Sequence, residues 1–211
     1  MHNTKYLFLN RIFNSILLLL LPIGFAGCSL GPEKRDPPTV FDLGPHRAYT
    51  AGAPAINATL LIPPVSASPW LDNPNIYYRL TYRDASRPDA YAQNRWTLSP
   101  ALLLTERLRA RFAAVSRGVV TVQDGAIADY ALRIDLEDFS QSFDDAQTSK
   151  VTVRLRASLI SVSTRALHAQ RSFSVDRSAA PNAPGAAQSL AAAGDAVIEE
   201  LAAWTAQNLK K

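Results

Sequence analysis

Residues 130–159 read YALRIDLEDFSQSFDDAQTSKVTVRLRASL. Leu132, Ile134 and Leu136 alternate with Arg133, Asp135 and Glu137. Beyond a polar stretch at 144–149, Val151, Val153, Leu155, Ala157 and Leu159 alternate with Thr152, Arg154, Arg156 and Ser158. Successive side chains of a strand point to opposite faces, so a period of two predicts two strands with one face on a core and the other in water. Asp144 and Asp145 fall in the turn between them, where Asp bonds its own backbone; this reading leaves them no acid-base role. On the outward face Asp135 and Glu137 are expected to meet Arg154 and Arg156 as cross-strand ion pairs. A third strand, 167–176, follows a turn at 163–166.

Toward the N-terminus, 119–123 is a brief strand entered at Gly118, and 100–114 is an amphipathic helix. Ser99 stands as its N-cap and Pro100 at its first position, where a missing N–H is harmless. Leu104, Leu108, Phe112 and Val115 share one face of that helix, with Arg107, Arg109 and Arg111 assigned to other faces. Upstream, 76–83 and 91–96 form a hairpin across a turn containing Pro88, and 59–65 is a strand closed by Pro63 and Pro64. After the Pro, Gly and Ala-rich stretch 179–187, Leu190, Val197, Leu201 and Trp204 line one face of a closing helix. The fold class expected is α+β, a single domain with a mainly antiparallel sheet and two helices packed on one face.

The first residues carry a different message. Residues 1–11 hold Lys5 and Arg11 and no acid, and the apolar run 12–25 is about 21 Å long as a helix, short of the roughly 30 Å hydrocarbon layer. That is a signal peptide rather than a span. Phe25-Ala26-Gly27-Cys28 resembles a bacterial lipobox, with Phe25 where most lipoboxes carry leucine, and Cys28 is the only cysteine of the 211 residues. The expected organisation is a lipoprotein signal peptide at 1–27, a lipidated and proline-rich tether at 28–38, and an α+β domain at 39–211. Diacylglyceryl and N-acyl (palmitate-type) lipid on Cys28 exceeds what stable membrane attachment needs. Ser29, being non-acidic, directs such a protein to the inner leaflet of the outer membrane, on its periplasmic side.

Composition removes other classes. The formal charge of +4 falls to about +2 without Lys5 and Arg11, too little for a nucleic-acid partner. His46 and His168 are far apart and lack companion ligands, so no metal or cofactor site is expected beyond the lipid on Cys28. No Gly-x-Ser-x-Gly elbow or phosphate loop occurs, and no catalytic residue is assigned. Trp70, Tyr77, Tyr78, Tyr82, Tyr91 and Trp96 crowd the first half of the domain. Because Tyr77 and Tyr78 must point to opposite sides, these aromatics are the candidate partner surface, against the plainer reading that they cover the hairpin.

The series Phe41-Asp42-Leu43, Leu60-Leu61-Ile62-Pro63-Pro64, Trp70-Leu71-Asp72, Ile76, Tyr78-Arg79, Tyr91 and Arg95-Trp96 resembles the ABC-type transport auxiliary lipoproteins, the PqiC (YmbA) group. The resemblance implies a non-enzymatic docking part of an envelope lipid-transport system in a Gram-negative cell. Its partner would be an MCE-domain protein that spans the periplasm, and assembly into a homo-oligomeric ring is a further expectation. Two other classes stand beside it: a structural envelope lipoprotein that binds peptidoglycan or an outer-membrane assembly partner, and a lipid-modified hydrolase.

Overall fold

The computed structural model describes residues 36–45 and 56–210. The expected signal peptide, Cys28 and His46 lie outside those residues.

Among them the element order is β1 (Thr39–Phe41), β2 (Ile56–Leu61), β3 (Ser66–Ala67), β4 (Asn75–Leu80), β5 (Pro88–Trp96), α1 (Pro100–Val115), β6 (Ser116–Val120), β7 (Tyr130–Phe143), β8 (Ser149–Ser161), β9 (Leu167–Ala179) and α2 (Ala183–Asn208). The quoted stretch is the centre of the sheet. β7 pairs antiparallel with β8 and β8 with β9, as the alternation predicts. Along its other edge β7 takes three short strands in succession, each parallel to it: Leu60 sits beside Tyr130, Ser66 beside Asp135 and Tyr77 beside Ser140. β1 pairs parallel with β5 and β2 with β6, whereas β4 and β5 form the expected antiparallel hairpin. The sheet is therefore mixed. Parallel partners need crossovers, here the helical connection between β2 and β6 among others, and alternation within a strand carries no information on its neighbour's direction.

One face of the sheet is dry. Leu132, Ile134 and Leu136 of β7 and Val153, Leu155 and Ala157 of β8 are all buried. A register shift between Leu136 and Asp138 adds one residue and reverses the alternation, so that Phe139, Gln141 and Phe143 continue the buried row. Leu104, Leu108 and Phe112 of α1 and Leu190, Val197 and Leu201 of α2 cover this face. Each such side chain contributes roughly 1.5–3 kcal/mol when fully buried.

Several boundaries differ from the sequence reading. β2 stops at Leu61, before the prolines, which have no N–H to extend a ladder. α2 begins inside the Pro, Gly and Ala-rich stretch: Asn182 is the N-cap, its side chain accepts from the Gly185 N–H at 2.8 Å, and Pro184 falls in the first turn. A Cβ on Gly185 would lie 2.6 Å from the Ala180 carbonyl oxygen, which explains the glycine. Ser99 does occupy the N-cap of α1, but its hydroxyl makes no capping bond.

Arg107, Arg109 and Arg111 are not on a solvent face. Arg107 and Arg111 are buried and meet α2, where Arg107 Nη1 donates to Asp195 at 2.6 Å and Arg111 Nη2 to Glu199 at 2.7 Å. Both pairs have the same four-residue spacing, so the two helices run in the same direction along this contact. Gly194 lies on the same side of α2, where a Cβ would come within 3.2 Å of Leu104. Arg107 also reaches the carbonyls of Leu43 and Gly44, pinning the segment after β1, and Arg109 donates to the Ile62 carbonyl at 2.9 Å.

Candidate functional site

β4 distributes its aromatic residues by pleat. Ile76 is fully buried, and Tyr78 shares its side, with its ring 4.7 Å from that of Tyr91 and 5.9 Å from that of Phe143. The Tyr91 hydroxyl donates to Gln141 Oε1 at 2.7 Å, while Gln141 Nε2 donates to Ser149 Oγ at 2.7 Å and to the Ala180 carbonyl at 2.9 Å. Gln141 is wholly buried, and this relay gives its amide the partners that a core position requires. Burial, and secondarily the neighbouring Tyr78, pushes the Tyr91 hydroxyl up to about 12.

The opposite side of β4 carries a different group. Trp70, in the loop before β4, packs edge-on against Tyr77 with centroids 5.4 Å apart, and the Arg79 guanidinium lies over the Trp70 ring at 5.3 Å. Arg79 also donates to the Ser86 carbonyl at 3.3 Å, tying the hairpin turn to the strand. Asn73 Oδ1 accepts from the Tyr77 hydroxyl at 3.2 Å. In the turn after β4, Tyr82 is 44% exposed beneath the guanidinium of Arg83, 5.6 Å away.

The six aromatics of the sequence reading therefore separate into four groups. Trp70 and Tyr77 come together with Arg79, and Tyr82 stands with Arg83 nearby in sequence. Tyr78 and Tyr91 lie on the core side with the Gln141 relay. Trp96 is a correction: it ends β5 only 1% exposed, 5.6 Å from Phe139, and is core rather than partner surface. Trp, Tyr and Arg are the residues over-represented at interaction hot spots, and stacked guanidinium over indole is held in place before a partner arrives.

Other residues singled out earlier take structural roles. Asp145 accepts from the backbone N–H groups of Gln147 and Thr148, each at 2.7 Å, and these bonds hold its carboxyl below the usual range. His168 lies 3.0 Å from the Asn208 carbonyl and edge-on to Tyr130. The cross-strand pair of Asp135 with Arg156 forms at 3.2 Å, but the bulge steps Glu137 out of register and brings Asp138 opposite Arg154. Among the described residues no group of three or more His, Cys, Asp or Glu could hold a metal ion, and no helix is long and apolar enough to cross a membrane. Sequence reading missed the Arg107 and Arg111 contacts with α2; the matched spacing of 107 and 111 with 195 and 199 was the available signal.

Comparison with known proteins adds the following. Residues 41–204 match the family model described as ABC-type transport auxiliary lipoprotein component. No curated protein matches the chain. A crystal structure of a Xanthomonas campestris protein from the DUF330 family is similar at 22% identity with a TM-score of 0.68, covering 82% of this chain and 94% of that one. A second crystal structure, of an uncharacterized protein, is 15% identical with a TM-score of 0.60 and covers 83% of this chain and all of the other. Both likenesses are of fold.

Proposed function

The chain belongs to the family of ABC-type transport auxiliary lipoprotein components, and from that membership we propose that it is the docking subunit of an MCE-type ABC lipid-transport system, held at the outer membrane. In this reading the lipid on Cys28 anchors the chain to the inner leaflet. The 28–38 tether gives reach, and the folded domain receives the periplasm-spanning MCE protein without catalysing a reaction. The work of transport comes from the ATPase of the system.

The observation that carries this reading is the family match, which spans the folded domain from β1 into α2. The surface formed by Trp70, Tyr77 and Arg79, and the separate pair of Tyr82 with Arg83, support the docking half. Trp70 and Tyr77 are half-buried against the core, which fixes their orientation, and Trp, Tyr and Arg are the residue types enriched at interface centres. Affinity purification of the lipidated full chain should co-isolate an MCE-domain protein. A photo-crosslinking residue placed at Tyr82 should attach to it in whole cells. Cys28→Ala should release the chain from the outer-membrane fraction. Retention of the chain on cell-wall sacculi, with no MCE protein attached, would point instead to the structural envelope role.

A further inference from the structure

Five apolar residues lie side by side across five neighbouring strands on the sheet face turned away from the helices. Val120 of β6 is in register with Leu61 of β2, Leu61 with Ala131 of β7, Ala131 with Ile160 of β8, and Ile160 with Leu167 of β9. Their strand neighbours Leu60, Leu132 and Leu159 are fully buried under the helices, so the pleat turns this row outward, with Ala131 at its middle covered to 7% exposure. Leu167 is 58% exposed. At about 4.8 Å between strands the row is about 19 Å long, the length of one extended acyl chain.

The next row is polar. Arg133 is in register with Ser158, whose hydroxyl accepts from Gln170 at 2.7 Å, and Arg133 has no ion-pair partner among the described residues. The nearby acid, Asp135, is already held by Arg156 at 3.2 Å and by the Ser66 hydroxyl. Pro63, Pro64 and the 67%-exposed Val122, with Leu61 and Ile160 of the apolar row and Arg133 and Ser158 of the polar one, line a groove of about 510 Å³. That volume lies within the roughly 300–1,000 Å³ of small-ligand sites.

We propose that this groove binds an amphiphile with an anionic headgroup and a single long alkyl or acyl chain. The chain lies against Leu61 and Ile160 beside Pro63, Pro64 and Val122, and the headgroup meets Arg133 and the Ser158 hydroxyl. Apolar burial supplies affinity and the unpaired guanidinium selects the charge. The site goes beyond the docking role and stands on its own geometry, so absence of an MCE partner leaves it intact.

The test uses the full mature chain carrying Cys28→Ser, exported behind a conventional leader so that no anchor lipid competes. Dodecyl phosphate, titrated calorimetrically below its micelle concentration, should bind one to one. Arg133→Gln and Ile160→Ser, both on the outward face, should each weaken binding about tenfold without shifting the melting temperature, in keeping with the loss of a charged hydrogen bond or of apolar burial. Inorganic phosphate alone should bind far more weakly, and dodecanol should not be affected by Arg133→Gln. Lysophosphatidylglycerol binding as tightly as dodecyl phosphate would identify a membrane lipid as the source. Absence of dodecyl phosphate binding, binding indifferent to both variants, or a sedimenting dimer that Ile160→Ser abolishes would overturn the proposal.

Discussion

Replacing Arg107 by Met tests whether the helix layer is locked to the start of the domain. The Arg107 side chain is 4% exposed and its partner Asp195 13%. Its guanidinium serves three acceptors: the Asp195 carboxylate at 2.6 Å, the Gly44 carbonyl at 2.6 Å and the Leu43 carbonyl. Met keeps the apolar stem and removes only the donors. Each buried acceptor that loses a charged donor costs on the order of 1–3 kcal/mol, and breaking a buried ion pair costs about 3–5 kcal/mol in total. For a domain of this size about 1 kcal/mol corresponds to roughly 2–4 °C, so Arg107→Met should melt roughly 6–20 °C lower. The exposed pair Arg156 with Asp135, at 47% and 44%, is the control, and Arg156→Met should cost no more than about 1 kcal/mol. Thermal melts of both variants, with a double-mutant cycle through Asp195→Leu, measure the coupling. An Arg107→Met protein that melts within about 2 °C of the parent, or a double variant that loses the simple sum, would refute the lock.

Tyr91 sets an alkaline limit. Unfolded tyrosine ionises near 10, and the folded hydroxyl is pushed up to about 12. Its contribution is therefore complete below pH 10 and is lost as pH rises from 10 to 12. Half-burial screens that loss to the order of 1 kcal/mol. Urea midpoints should fall over that window, and Tyr91→Phe should flatten the fall. Gly185→Ala should lower stability by about 1–3 kcal/mol, because the new methyl meets the Ala180 backbone at 2.6 Å; an unchanged melt disproves that clash. Trp96→Ala should cost about 3–5 kcal/mol in a melt, whereas Trp70→Ala, at a half-buried position, should cost less and reduce co-isolation of the proposed MCE partner. The reverse pattern would exchange the roles assigned to the two tryptophans.

Legibility of the fold followed the reach of each signal. The period of two in 132–136 and 151–159 is local, and β7, β8 and their dry face follow from it, but not the full register, which leaves Glu137 without its expected arginine. Asp138 to Phe143 hid the bulge, since one inserted residue moves Gln141 into the core and only the distant Ser149, Ala180 and Tyr91 make that amide tolerable. β3 is two residues long and has no periodicity to read. The arginines of α1 look like a solvated stripe because their partners lie 88 residues away on α2. For the candidate surface, the pleat separated Tyr77 from Tyr78 in the sequence itself. The burial of Trp96 needed Phe139 on a different strand.

The way residues 36–45 join the domain determines how the protein responds to mechanical load. They are held by the three-residue pairing of β1 with β5, by the buried Leu43 side chain and by the grip of Arg107 on two carbonyls. A pull applied N-terminal to β1 meets these contacts before it meets the pairing of β7, β8 and β9. Residues 39–45 have a contour length of roughly 24 Å at about 3.4 Å per residue, part of it already extended as β1, so peeling them adds less than that to the reach. The grip of Arg107 on Leu43 and Gly44 thus sits where a load entering ahead of β1 would first be felt.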